Sequence, residues 1–381
     1  MTCMTASVIA LTTGKEGWGL GLYALIPIIW GAARTKSEAF WILMIFYLVA
    51  SRGVYSGTPV FFGDGHPFFG LLLWITSALT LSLPWMALWS GTVSTKGKFL
   101  RLLLILFSIS IPPIGLWGWC NPLLSAGYIF PRSGVMGLIC MYCLWAALWA
   151  AKRNTREIRL AVAAVLVMLA LFPRATESPV NWETINTSFG RLYSGSDDTL
   201  GVYERHCVLG NMLGRTKLKY VVMPETVAGW WGDNTEELWS GITNQFAVSD
   251  RTYFIGAEVT KLGTKKYYNV VQVRGANHAV IAQRIPVPIS MYRPWSDTGA
   301  IADMFGSGIC EIGDQKIGVL ICYEPFVFWP CFLTMLSSPD VLVIVSNSWW
   351  AKHTNLPVLS DQCSASWALL FAKPIVRAKN L

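Results

Sequence analysis

The chain is 381 residues long, enough for two folding units at ~100–200 residues per domain. Hydrophobic residues make up 53% of it and charged residues 14%, against ~25% charged in ordinary soluble proteins. The formal charge of +8 sits wholly in the apolar half: residues 1–173 hold 12 Lys/Arg and 4 Asp/Glu, whereas residues 174–381 hold 18 of each. Those positive residues form short clusters between apolar runs, the pattern of topology-setting loops, so direct nucleic-acid binding is not expected.

A membrane-crossing helix needs ~20 apolar residues. Gly17–Ala33, Pro67–Thr95, Leu102–Pro131 and Ser133–Ala151 meet that length between charges, and Ala39–Ser51 and Leu160–Pro173 are shorter. The basic clusters are Arg34/Lys36, Lys96/Lys98/Arg101 and Lys152/Arg153/Arg156/Arg159. For the first two to share the cytoplasmic side, Ala39–Ser51 must cross as well, with Arg52 snorkelling to the interface to lengthen it. If Leu160–Pro173 also crosses, the chain has about six spans and everything after Arg174 lies outside the cytoplasm.

Pro84, Pro112 and Pro113 predict kinks or helix ends within the apolar stretches. Trp18, Trp30, Trp89 and Trp149 fall near span ends, where aromatic belts form. Met1 begins no cleavable signal pattern, so the first span is its own insertion signal. Only Glu38 and His66, both at edges, bring an acid or histidine to a predicted span, which argues against an ion-coupled transporter. Cys140 and Cys143 have redox or metal spacing but lie in an apolar run and read as helix residues. His66, His206, His278 and His353 are scattered without metal-ligand spacing, so neither metal nor other cofactor is expected.

After Arg174–Pro179 the pattern changes to short β-rich runs. Tyr220–Met223, Tyr253–Val259, Tyr267–Val273, Ala279–Arg284, Lys316–Ile321 and Val341–Val345 read as strands, with Arg274–His278 as a hairpin connection. Asn234–Gln245 and Gln362–Phe371 read as helices, giving a layered α/β domain. Three strands end in reactive or polar residues: Met223-Pro224-Glu225-Thr226, Ile321-Cys322-Tyr323-Glu324, and Ser346-Asn347-Ser348-Trp349-Trp350. A thiol beside a carboxylate that takes its proton becomes a nucleophile. Taken singly, Cys322 reads as a core cysteine and Glu225 as a solvated loop acid.

The order Pro-Glu-Thr, Tyr267-Tyr268-Asn269 with its hairpin, Val287-Pro288, Ile-Cys-Tyr-Glu and Val-Ser-Asn-Ser-Trp resembles the carbon–nitrogen hydrolase (nitrilase) superfamily. The preceding spans make it similar to the membrane branch typified by apolipoprotein N-acyltransferase, and within that branch to the TraB family of plasmid conjugal-transfer proteins. The resemblance covers roughly Tyr220–Asn380, with Ile-Cys-Tyr-Glu and the closing Lys373–Asn380 stretch its most specific parts. It implies a multi-span α-helical membrane domain over residues 1–173, followed by a nitrilase-like αββα sandwich over residues 174–381. It also implies a bacterial inner-membrane location with the second domain periplasmic.

By that resemblance Glu225 is a general base, Cys322 a nucleophile that takes an acyl group as a thioester, and Glu324 an auxiliary acid that orders the site. Trp230, Trp231, Trp349 and Trp350, with Trp329, would form an apolar mouth for a lipid or other acyl-donor substrate; ordinary core and interfacial packing is the alternative.

Two departures stand out. The family's lysine, which holds the oxyanion, falls on Gln283, and the nearest cation is Arg284, which by strand alternation faces away from the site. The family's glutamate after the Val-Pro element falls on Met291. The chain also ends at Leu381, before the further strands and closing transmembrane segment that relatives carry, so the domain is expected to lack edge strands. Two readings follow: an acyl-transferring or amide-hydrolysing enzyme, or a catalytically impaired interaction component of a conjugation apparatus that binds other conjugation proteins.

Overall fold

Apolar runs that must satisfy every backbone amide internally become helices, and the first half of the chain does so. The computed structural model describes residues 2–14, 19–63, 66–118, 120–151, 156–192 and 199–381; Trp18, Lys152 and Arg153 lie outside them. The helices of this half are α1 (Thr2–Leu11), α2 (Ile26–Gly31), α3 (Lys36–Ala50), α4 (Arg52–Phe62), α5 (Pro67–Leu88), α6 (Thr95–Ser110), α7 (Ala126–Ile129), α8 (Val135–Ala150) and α9 (Arg156–Leu171). Thr35 starts α3 by accepting a hydrogen bond from the Glu38 amide (3.1 Å), and Glu38 accepts one from the Arg34 amide (2.8 Å), a reciprocal cap. Trp30 anchors the interior, 5.1 Å from the Trp85 ring and 4.7 Å from Trp149.

Among the described residues one helix, Phe68–Leu88, is long and apolar enough to cross a membrane by itself. The pair Lys36–Ala50 and Arg52–Phe62, bent by 46°, passes the same test as one unit. The expected span Leu102–Pro131 is not one helix. α6 ends at Ser110, just before Pro112 and Pro113, and two short 3-10 turns and α7 follow, because proline has no amide to continue the ladder. Pro84 lies inside α5, four residues from its end, without terminating it. Arg52, half-buried, donates to the carbonyls of Val49 (3.0 Å) and Thr13 (2.9 Å), which lie in the last turn of α3 and just after α1, where carbonyls lack intrahelical partners.

The chain forms two compact units that interleave in sequence. The first comprises Met1–Thr176, Phe326–Trp329 and Ala351–Ala372, and the second Glu177–Pro325, Pro330–Trp350 and Lys373–Leu381. The second unit and the returning segment contain β1 (Trp182–Thr184), α10 (Thr199–Gly214), β2 (Tyr220–Val222), α11 (Asp233–Val248), β3 (Thr252–Thr260), β4 (Lys265–Gly275), β5 (Ala279–Ala282), β6 (Thr298–Ala300), β7 (Ile309–Ile312), β8 (Gln315–Ile321), α12 (Phe328–Leu336), β9 (Val341–Asn347), α13 (Leu356–Phe371) and β10 (Ile375–Asn380). α13 belongs to the first unit. Asn355, just before it, donates to the Ala50 carbonyl (2.8 Å) and accepts from the Gly53 amide (3.0 Å).

Within the second unit, one sheet runs β1-β2-β3-β4-β5 with β6 also beside β4, and the other runs β10-β9-β8-β7. Period-two alternation aims Phe254, Val271, Val273 and Ile281 of the first sheet and Ile317, Val319, Ile321, Val343 and Val345 of the second into one shared core. The opposite face of the first sheet packs on Leu209 and Leu213 of α10 and Trp239 and Phe246 of α11. On the far side of the second sheet, the α12 residue Thr334 closes on Gly318 of β8. The layers are helix, sheet, sheet, helix.

Candidate active site

β2, parallel to β1 and β3, and β8, parallel to β9, belong to different sheets, and each is followed by one candidate side chain, Glu225 and Cys322 respectively. After β2 the chain turns through Pro224-Glu225-Thr226, with Thr226 left-handed at φ 54°. After β8, Cys322 is itself left-handed at φ 53°, a conformation that costs a non-glycine residue about 1–3 kcal/mol and turns its sulfur inward where alternation alone would send it out. The Cys322 amide is fixed on the Val345 carbonyl at 2.8 Å. The result sets the Cys322 thiol beside the Glu225 carboxyl, close enough for each to influence the other's proton.

Gly256 makes the first turn possible. A Cβ there would stand 2.4 Å from the Glu225 Cα and the Pro224 carbonyl oxygen, so only glycine lets β3 lie against the Glu225 backbone.

Glu225 is 2% exposed and held at both oxygens. Asn269 Nδ2 donates to Oε1 at 2.6 Å, and the Asn347 backbone amide donates to Oε2 at 2.7 Å. Burial pushes its pKa up to about 7 against those donors and the Cys322 thiol, which pull it down, while the nearby Glu258 charge adds to the rise. Burial, followed by the Glu225 charge, likewise pushes the Cys322 thiol well above its usual range. The pair is therefore a neutral acid and thiol at low pH, and Glu225 becomes an available base near neutrality.

Gln283 lies between Asn269 and the end of β8. Its Oε1 accepts from Asn269 Nδ2 (2.8 Å) and its Nε2 donates to the Ile321 carbonyl (3.0 Å), one residue before Cys322. Arg284 is 1% exposed and does not bond Glu225 or Cys322. Its guanidinium meets Glu324 at 3.3 Å and donates to the Pro330 carbonyl and Thr334 Oγ1, both at 2.9 Å. Glu324 in turn accepts from the backbone amides of Arg284 (2.5 Å) and Ile321 (3.0 Å). That buried ion pair fastens the residues flanking Gln283 to those flanking Cys322. Gly308 (φ 61°) gives it room, since a Cβ would lie 2.5 Å from the guanidinium carbon.

The four tryptophans do not share one mouth. Trp231 is buried in the layer between the first sheet and its helices, beside Trp239, with its indole N–H on Glu236; the Trp231 amide is bonded to the Glu258 carbonyl (2.8 Å), which turns its ring to that outer layer. Trp230, on the opposite alternation, is 41% exposed and meets the Tyr267 ring edge-on at 5.6 Å. Trp349 lies 5.8 Å under the Arg191 guanidinium and Trp350 is half-buried.

Three asparagines form the remainder. Asn269 carried no role in the sequence beyond its Tyr-Tyr-Asn motif. Asn347 Nδ2 donates to Thr226 Oγ1 (2.7 Å), and its Oδ1 accepts from Asn380 Nδ2 (2.8 Å). Asn380 accepts from Thr187 Oγ1 (2.8 Å) and the Phe189 amide (2.9 Å), so the two sheets are tied beside Glu225. An asparagine at a strand end invites such bonding, but the partners are set by pairing across strands.

No family model matches the chain. Among curated proteins it is 30% identical over 393 residues to a protein described as a probable conjugal transfer protein TraB of Sinorhizobium fredii, covering 98% of this chain and 96% of that one. It is 26% identical to the conjugal transfer protein TraB of Agrobacterium fabrum, covering 98% and 91%. Among solved structures, a carbon–nitrogen hydrolase of Helicobacter pylori overlays 51% of the chain and 72% of its own at TM-score 0.40 and 11% identity. An amidase of Nesterenkonia sp. overlays 55% and 78% at TM-score 0.38 and 9% identity. With 30% identity running through nearly all of its length and of its relative's, the chain belongs to the conjugal transfer protein TraB family.

Proposed function

We propose that this protein is a membrane-embedded component of plasmid conjugal transfer whose second unit transfers or hydrolyses an acyl group through Cys322. The observation that carries the reading is the meeting of the half-buried Cys322 thiol with the buried Glu225 carboxyl. As a carboxylate, Glu225 takes the thiol proton, and the sulfur attacks the acyl carbonyl carbon. The bond to the donor's oxygen or nitrogen breaks as Glu225 passes the proton to that atom, leaving a thioester on Cys322. An amine or water then displaces the sulfur, with Glu225 taking its proton and returning it to sulfur.

Exposed apolar side chains support insertion in the bacterial inner membrane. Phe68 (73% exposed), Leu72 and Leu83 line α5, and Leu103 and Phe107 line α6, an arrangement unfavourable in water and suited to lipid. With the bent α3–α4 pair as one crossing and α5 as the next, Arg34/Lys36 and Lys96/Lys98/Arg101 share the cytoplasmic side. Crossings by α6, α8 and α9 then put the second unit in the periplasm, where a lipid-borne acyl donor is within reach. α6, α8 and α9, at 16 residues each, are ~24 Å long at ~1.5 Å per residue and would require local bilayer thinning.

A specific observation favours a second reading, a catalytically impaired scaffold. The amide of Gln283 is bonded to Asn269 and Ile321, and Arg284 is locked on Glu324. Neither brings charge to an oxyanion, and a missing donor costs ~2.7–4 kcal/mol, or about 10²–10³ in rate. Plasmid-transfer frequency separates the two. Cys322→Ala and Glu225→Gln should each lower transfer to the level of a strain lacking the gene, with normal amounts of protein in the membrane. Unchanged transfer in both variants would leave only the scaffold.

A further inference from the structure

We infer that Asn269 is the positioning residue that holds the Glu225 carboxyl against Cys322. The inference rests on the reading of Glu225 and Cys322 as the reacting pair.

The register puts Asn269 at the centre of the site. On β4 it faces Glu258 of β3 and is followed across the next strand by Gln283, whose amide donates to the Asn269 carbonyl at 2.7 Å. Its side chain is 1% exposed. Both Nδ2 hydrogens are engaged, one with Glu225 Oε1 (2.6 Å) and one with Gln283 Oε1 (2.8 Å). Turning the amide over would set its oxygen against two acceptor oxygens, so the orientation is fixed by its neighbours.

Asn269 Oδ1, by contrast, has no hydrogen-bond partner among the described residues. A bare buried acceptor is unfavourable. The arrangement gives up a bond at Oδ1 in order to bring both donors onto the Glu225–Gln283 side. Of the groups that hold Glu225, the Asn347 amide is backbone and Cys322 is the reacting partner, which leaves Asn269 as the side chain that aims the carboxyl. Because Gln283 hangs on the same amide and on the residue before Cys322, moving Asn269 would disturb both strands that present the pair.

The test is the pH dependence of Cys322 alkylation by iodoacetamide, read by peptide-resolved mass spectrometry on the full chain in detergent. The unsubstituted protein should show a rate that rises through about pH 7, where Glu225 loses its proton. Asn269→Ala removes the donor, and Asn269→Asp, of the same shape, replaces it with a second acid. Each should move the midpoint upward by about one to two pH units, so that alkylation at pH 7 falls roughly five- to fiftyfold. Melting curves show whether each variant is folded. A lower rate at every pH with an unmoved midpoint in both folded variants would mean that Asn269 is only structural, and the inference would be wrong. If Glu225→Gln keeps the limb near pH 7, the base assignment itself fails and the inference falls with it; if Glu225→Gln abolishes the limb while the Asn269 variants leave it in place, only the inference is lost.

Discussion

Burying a carboxyl is unfavourable when it is charged, and Glu225 carries that cost in the open window between its ordinary pKa of 4.5 and its pKa in the fold of about 7. A carboxyl whose folded pKa is raised contributes stability that is fully present below pH ~4.5 and is lost as pH rises through ~7. At ~1.4 kcal/mol per unit, the loss is about 3 kcal/mol. Glu225→Gln removes the titration. Its melting temperature relative to the parent should therefore rise between pH 5 and pH 8, even though transfer is lost; a constant difference across that range would contradict the burial argument. Glu225 and Cys322 were legible as strand-end residues carrying acid and thiol. Asn269 was not, because its partners depend on the antiparallel register of β3, β4 and β5, which composition and spacing do not specify. Alternation correctly kept Arg284 off Glu225, but nothing in the sequence disclosed that it would be buried whole against Glu324.

At the scale of elements, the site depends on turns more than on strands. β8 is followed by a left-handed cysteine, and Glu324, two residues on, holds that turn by accepting from the Ile321 amide and pairing with Arg284. Both partners are 1% exposed. Removing one member of a buried pair leaves the other uncompensated, at a cost of about 3–5 kcal/mol. Glu324→Ala should destabilise the second unit by that amount in chemical denaturation, and a loss under 1 kcal/mol would mean the pair does not fasten the turn. Six predicted strands occupy β2, β3, β4, β5, β8 and β9 because half-buried strands advertise themselves by alternation. β10 escaped notice as a strand because its Ile375–Asn380 run reads as a motif with basic residues at alternate positions. α10 escaped because Gly201, Gly210 and His206 interrupt its apolar spacing. Leu102–Pro131 was apolar enough for a span but is divided by its prolines.

For the whole molecule, composition separates an apolar half from a polar one, and the compact units respect that separation only in part. α13 and Phe326–Trp329 return to the first unit after the strands that carry Cys322 and Asn347. Sequence order alone does not show that return, since Leu356–Phe371 carries the ordinary apolar content of a sandwich helix. Along the sequence the chain leaves the second unit after β8 and again after β9, and re-enters it each time.

Acylation of Cys322 with Glu225 as its base is tested by mass spectrometry of the full-length protein purified from membranes under mild acid. The expected result is a hydroxylamine-labile acyl adduct confined to the peptide containing Cys322, absent from Cys322→Ala and strongly reduced in Glu225→Gln. A free Cys322 thiol under conditions that support transfer, or an adduct of equal yield in Glu225→Gln, would contradict it.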